Sequence, residues 1–282
     1  MIHLLWFVLL LGQSGATTSA TTGLTYTTRY TNSGSFGSTA QVFSSESTVY
    51  LQGDRKRTEF PKNGTRYADG TPQPTFVNIL RCDLHKYYRL NMDAKEYEDQ
   101  PAGDPRIMPR PRVGASMPMP AGMSFGPPKM RVETTTKDTG ERKQMFGHTA
   151  RHVITTIKSI PLEDSAPNSS ETVMDGWYID LDTDASCENI AAMTKRMIEL
   201  RRSGKGSPNT TYVETGEPET GFALDLKMVT KTTMIYPPGA PPRVTTTESE
   251  NRVTKFEEKP LDPALFEIPD GFHWVYSLDH DR

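Results

Sequence analysis

The stretch VYLQGDRKRTEF, residues 49–60, decides how the chain is read. Gln52-Gly53-Asp54 has the chemistry of a tight hairpin turn between two extended arms. Beyond it the side chains alternate, as they do along any strand: Arg55, Arg57 and Glu59 on one face, Lys56, Thr58 and Phe60 on the other. The run Arg55-Lys56-Arg57 is therefore split between two faces of a sheet and does not make a single phosphate-binding patch. Arg55 and Arg57 are left as rim charges that can meet an acidic partner or a lipid headgroup.

The same grammar continues on both sides of this hairpin. Short runs rich in Thr, Val, Tyr and Ile, separated by turn residues, predict strands at 24–31, 39–51, 55–60, 75–82, 86–91 and 95–98. Asn91-Met92-Asp93-Ala94 reads as a turn. Residues 101–128 break the pattern: they are dense in Pro, Gly and Met, and proline removes the donor a sheet needs, so they form a mobile insertion. Strands resume at 129–136. KDTGERK (137–143) supplies a turn, and 144–157 follow with a bend at Gly147. Residues 161–170 read as a loop. In the strand 173–181, Trp177, Ile179 and Leu181 share one face.

One segment has helical period. In DASCENIAAMTKRMIELRRSG, residues 184–204, Ile190, Met193, Met197 and Leu200 form one apolar stripe. Asp184 or Ser186 caps its start, and Gly204 stops it. An amphipathic helix must lay its stripe on something apolar, and a sheet is the candidate. In GFALDLKM (221–228), Phe222, Leu224, Leu226 and Met228 alternate with smaller or charged residues, so one face is buried and one wet. Strands at 229–236 and 243–256 follow, and PLDPALFEIPDGF (260–272) gives a short helical turn, an apolar plug and a Pro-Asp-Gly turn. The expected fold is mainly β (α+β): a large curved antiparallel sheet or open half-barrel of about ten or eleven strands, with one main amphipathic helix on its concave face.

The N-terminus sets the compartment. Residues 4–11 are an apolar run far short of the ~20 residues that span a bilayer. Small residues follow at Ser14 and Ala16, or Thr18 and Ala20, so residues 1–20 read as an export signal. Residues 21–282 are then a single domain, a monomer exported to the periplasm or extracellular space, with no transmembrane span. A net charge of −3 excludes a general nucleic-acid binder, which would show a basic excess. The two cysteines, Cys82 and Cys187, can pair in an oxidising compartment, although spacing alone does not decide it.

No reaction chemistry is visible. The chain has no G-x-S-x-G, no H-E-x-x-H and no phosphate-cradling glycine loop, so no catalytic residue and no cofactor are assigned. His148 and His152 stand four apart on a strand, about 13 Å, which is too far for one zinc ion. Met117, Met119, Met123 and Met130 read as part of the Pro-rich segment, and Asp180, Asp182 and Asp184 as a helix-start cluster. No metal site is assigned.

Four blocks together, VYLQGDRKRTEF, NILRCDLHKYYRLNMDAKEYED, TGERKQMFGHTARHVITT and DPALFEIPDGF, resemble in their order a family of exported bacterial proteins carried as a domain of unknown function. That family is similar in plan to the LolA/LolB lipoprotein-carrier superfamily. The resemblance implies an open half-barrel whose apolar cavity takes up acyl chains, plugged by helices. Here the segment 186–202, with Ile190, Met193 and Met197, and the face of Phe222, Leu224, Leu226 and Met228 are the parts implied to do so, joined by Trp177 and Ile179. The expected function is non-enzymatic binding of an apolar ligand, lipid or lipidated protein. The alternatives are a structural or protein-interaction module of the envelope with a filled core, and an envelope hydrolase.

Overall fold

A computed structural model describes residues 22–36, 39–61, 74–102, 129–162, 168–181, 210–235 and 241–278 of the 282-residue chain. The export signal expected at 1–20, most of the Pro-rich insertion, and the helix expected over 184–204 with Cys187, Ile190, Met193 and Met197 lie outside the described residues.

Turn chemistry orders the first strands. Gly53 has φ +56° at the first of two turn residues, the place glycine takes in a type II′ hairpin, and it joins β2 (Thr39–Gln52) to β3 (Arg55–Phe60). β1 (Leu24–Phe36) precedes this pair. β4 (Phe76–Arg81), β5 (Lys86–Asn91) and β6 (Glu96–Pro101) extend it as a meander. The turn before β6 is held by the Asn91 side chain, which accepts from the backbone N–H groups of Asp93 and Ala94. β7 (Met130–Met145), β8 (His148–Pro161), β9 (Asn168–Ile179), β10 (Thr210–Thr215), β11 (Phe222–Met234), β12 (Arg243–Glu258) and β13 (His273–Trp274) complete the set.

All thirteen strands belong to one sheet, ordered β10-β7-β8-β9-β11-β12-β1-β2-β3-β4-β5-β6-β13. The order is linear, so the sheet is open, with β10 and β13 at its edges. These two edge strands pair in parallel, with β7 and β6 respectively, and every other pairing is antiparallel. Both were missing from the expected strands: β13 is only two residues long, and TTYVET in β10 does not alternate apolar and polar residues.

The turn expected in KDTGERK is also corrected. The strand runs through it as a bulge, with the register slipping between Asp138 and Arg142. The Asp138 carboxylate accepts from the Gly140 N–H and from both terminal nitrogens of Arg142, and these bonds carry the extra residues without reversing the chain. The reversal comes later, at Phe146-Gly147, where both residues have positive φ. Further bulges fall at Leu224 in β11 and beside Val253 in β12. The described residues contain no α-helix, only the 3-10 turns Cys82–Leu84 and Pro263–Phe266.

Two apolar clusters hold the sheet, on opposite faces. Along β2, Val49 and Leu51 belong to a cluster with Leu24, Tyr26, Ile179, Leu224 and Val253, while Tyr50 between them packs on a second cluster of Val77, Ile79, Leu90, Leu261 and Phe266. Neighbours in a strand point to opposite sides, so the clusters cannot share one face. The second is closed by the C-terminal segment, whose Phe266 is 1% exposed. Asp262 caps the 3-10 turn by accepting from the Ala264 N–H, and Pro263 begins it.

Candidate functional site

The candidate apolar residues separate into three groups. Ile179 (1% exposed) and Leu224 (0%) are fully buried in the first cluster, with Trp177, Leu181 and Phe222 packed against them. Leu226 and Met228 lie further along β11, half-buried and outside that cluster. Ile190, Met193 and Met197 are outside the described residues.

The bulge at Leu224 brings the first group together. It bends β11 so that Phe222 meets Tyr26 edge to face, with ring centroids 5.0 Å apart, and Phe256 at 6.2 Å. Trp177 is braced by His152, whose ring stacks on it at 4.8 Å and whose Nε2 lies 2.7 Å from Asp175 Oδ1. Gly176 allows a close approach: a Cβ there would stand 2.5 Å from the Tyr178 ring, which lies over the backbone. Burial pushes the Tyr178 phenol up from its ordinary value.

The face that carries Leu224 and Val253 continues through a row of cross-strand partners, Asp138, Val153, Gly176, Leu226, Asn251 and Tyr30, while Trp177, next to Gly176, turns to the other face. The next row holds Met174 and Met228 side by side. The opposite face is charged. There Lys158 pairs with Glu171 and Lys227 with Glu248, both at 3.4 Å, and Arg252 pairs with Asp225 at 3.2 Å. A groove of about 390 Å³ on that face is lined by Trp177, Asp225, Lys227, Glu248, Glu250 and Arg252, with carboxylates in excess over cations.

Arg55 and Arg57 do not form a free rim pair. Arg57 is 7% exposed. Its Nε donates to Glu59 at 2.7 Å and its Nη1 to the Leu265 carbonyl at 3.0 Å. The alternation of β3 is as expected, but the face that carries Arg57 is covered by the C-terminal turn, so the guanidinium is spent inside the molecule. Arg55 stays more exposed and meets Asp83 at 3.5 Å.

A third arginine, Arg81, completes this clasp. Its Nε and Nη2 bond the two Asp83 oxygens at 2.8 and 2.7 Å, and its Nη1 reaches the Phe266 carbonyl at 3.3 Å and Glu267 at 2.5 Å. The hydrogen bond from Arg81 holds Asp83 below its ordinary range against the opposing effect of burial, and the same bond raises Arg81. Sequence reasoning passed over Arg81. Its signal is an arginine closing NILR in phase with Val77 and Ile79, on the side that faces the plug.

Glu219 was missed as well. It accepts from Arg151 Nε at 2.9 Å and Nη2 at 2.5 Å, and from the Gly221 N–H at 2.6 Å. Burial alone would raise its carboxyl, but the bonds from Arg151 and Gly221 more than offset that and hold it low. Cys82 is disulfide-bonded. The described residues contain no group of three or more His, Cys, Asp or Glu side chains able to hold a metal ion, and no helix long and apolar enough to cross a membrane.

No family model matches the chain, and no curated protein matches it. The structural neighbours are LolA superfamily proteins. One is a domain assigned as an outer membrane lipoprotein-sorting protein from Vibrio parahaemolyticus, 10% identical, covering 86% of this chain and 88% of its own, with a TM-score of 0.25. Another is a LolA superfamily protein from Nitrosomonas europaea, 5% identical, covering 86% and 90%, also with a TM-score of 0.25.

Proposed function

We propose that the chain is an exported, non-enzymatic protein that binds an amphiphile (a lipid or the acyl chains of a lipidated protein) on the cluster-bearing face of its open sheet. The observation that carries this is the unequal treatment of the two faces of β8, β9, β11 and β12. One face is laced with ion pairs, while on the other the rows of the half-buried Leu226, Met174 and Met228 carry no charge on these four strands, the nearest being Asp138 on β7. Apolar surface of this kind gains about 0.8 kcal/mol for each CH₂ group it removes from water. Leu226 and Met228 are the contact residues, and Ile179 and Leu224 form the floor behind them. The disulfide at Cys82 supports an oxidising compartment, and the chain's other cysteine, Cys187, is its partner in this reading.

The full burial of Ile179 and Leu224 favours a second reading, a binding or structural module whose core is filled throughout. Titration with a fluorescent long-chain fatty acid separates the two. Saturable uptake, lost in the double variant Leu226→Glu/Met228→Glu, supports the amphiphile site. A well-folded protein with no saturable uptake contradicts it.

A further inference from the structure

Tyr178 brings a polar group into the proposed amphiphile site. Its phenol ring leans along β9 and lies over Gly176: a Cβ at Gly176 would stand 2.5 Å from Cε2, 2.8 Å from Cζ and 2.9 Å from the hydroxyl oxygen. Residues two apart on a strand share a face, so the hydroxyl fills the place that a side chain at 176 would take. Gly176 stands opposite Leu226 on β11 and opposite Val153 on β8. Met174 precedes it by two on the same face and stands opposite Met228. The hydroxyl therefore sits among the apolar contact residues, beside Leu226 and one row from the two methionines.

This hydroxyl has no hydrogen-bond partner among the described residues. Tyr178 is 8% exposed, so a side chain more than nine-tenths buried keeps an unspent O–H donor. Among the described residues, the side-chain atoms that lack a partner and are sealed from solvent are Thr25 Oγ1 and Asn78 Oδ1. The Tyr178 oxygen is not one of them, so it keeps an opening toward the face. Burial first, then the charges of Glu219 and Asp175, push the phenol up from its ordinary value, so it stays protonated and able to donate. Both carboxylates are engaged elsewhere, Glu219 by Arg151 and Asp175 by His152. Packing over Gly176 needs only the ring, which phenylalanine would supply equally. A donor left without a partner in apolar surroundings is costly, and an acceptor on a ligand recovers that cost.

We propose that Tyr178 is the polar anchor of this site, donating its hydroxyl to the carbonyl oxygen of an acyl ester or amide whose chain lies over Leu226, Met174 and Met228. This inference rests on the amphiphile-binding reading and adds the group that orients the ligand. A carbonyl oxygen offers two lone pairs and no proton, which complements a lone donor. An ether oxygen is a weaker acceptor enclosed by two carbons, and a plain hydrocarbon offers none. The ligand class is therefore acyl lipids in preference to alkyl ethers.

Two probes test it by calorimetric titration of the whole protein below their aggregation concentrations: monodecanoylglycerol and its ether counterpart, monodecylglycerol, which differ only in a C=O against a CH₂. The ester is expected to bind about three- to tenfold more tightly, the worth of one hydrogen bond. In Tyr178→Phe, which keeps the ring over Gly176, the ester falls to the level of the ether while the affinity of the ether stays unchanged. The urea unfolding midpoint of that variant is expected to stay unchanged as well, because the hydroxyl has no partner in the protein to lose. Equal binding of the two probes by the unaltered protein, or equal weakening of both in Tyr178→Phe, overturns the anchor and leaves the amphiphile site standing. A loss of stability in Tyr178→Phe assigns the hydroxyl to an internal bond and overturns the anchor too. Binding of neither probe overturns both the anchor and the site.

Discussion

Arg57 Nη1 donates to the carbonyl oxygen of Leu265 at 3.0 Å, across 208 residues of sequence. Together with Arg81 Nη1 on the Phe266 carbonyl, it ties the 3-10 turn Pro263–Phe266 to β3 and β4. Segments about 200 residues apart in sequence are thus joined through the Leu265 and Phe266 carbonyls. Replacing either arginine strands a buried acceptor and one or more carboxylates. Arg57→Met and Arg81→Met are each expected to cost about 2–4 kcal/mol in urea unfolding. Arg55→Met, which breaks one exposed pair with Asp83, is expected to cost under about 1 kcal/mol. Equal losses at all three positions would contradict the clasp.

Acid should loosen the same clasp. Asp83 is held low first by its hydrogen bond from Arg81, and Glu219 is held low by Arg151 against the raising effect of burial. A carboxylate with a depressed folded-state value contributes in full above its unfolded value, about 4. It loses that contribution as pH falls through the lower folded value. Unfolding free energy is therefore expected to drop below about pH 4. Asp83→Asn should lower stability at neutral pH and make the acid limb shallower. An acid limb of unchanged steepness in both Asp83→Asn and Glu219→Gln would remove these groups from the account.

The disulfide gives a thiol-counting test. Cys82 is bonded and the chain has two cysteines, so the unreduced protein is expected to show no free thiol. Closing the loop from 82 to 187 contributes about 2–5 kcal/mol, and reduction should lower the unfolding midpoint accordingly. A reactive thiol in native, unreduced protein would refute the Cys82–Cys187 pairing.

How much of this was legible depended on whether the signal was local. The hairpin at Gly53, the strand of Arg55–Phe60 and the alternation through Leu226 and Met228 follow from turn chemistry and a period of two, and they stand as read. The fate of Arg57 was not legible, because the turn that covers it lies at the other end of the chain. A strand pattern reports two faces but not what closes each. The KDTGERK bulge was misread because Thr-Gly signals a chain reversal and a bulge equally well, and only the pairing of β7 with β8 decides between them.

The floor of the site has its own test. Leu224 is fully buried at the bulge, where bent backbone leaves little room to collapse. Leu224→Ala is expected to cost about 2–5 kcal/mol. Leu226→Ala, at a half-buried site, is expected to cost less while weakening amphiphile uptake more. The opposite ranking would move the site inward, to the cluster itself.

The most direct measurement is photo-crosslinking of the intact protein with a diazirine-bearing long-chain amphiphile, followed by peptide mapping. The account expects labels on β9 and β11, at Met174, Leu226 and Met228, competed away by unlabelled amphiphile. Labels confined to the charged face around Lys227 and Glu248, or scattered labels that do not compete, would contradict it.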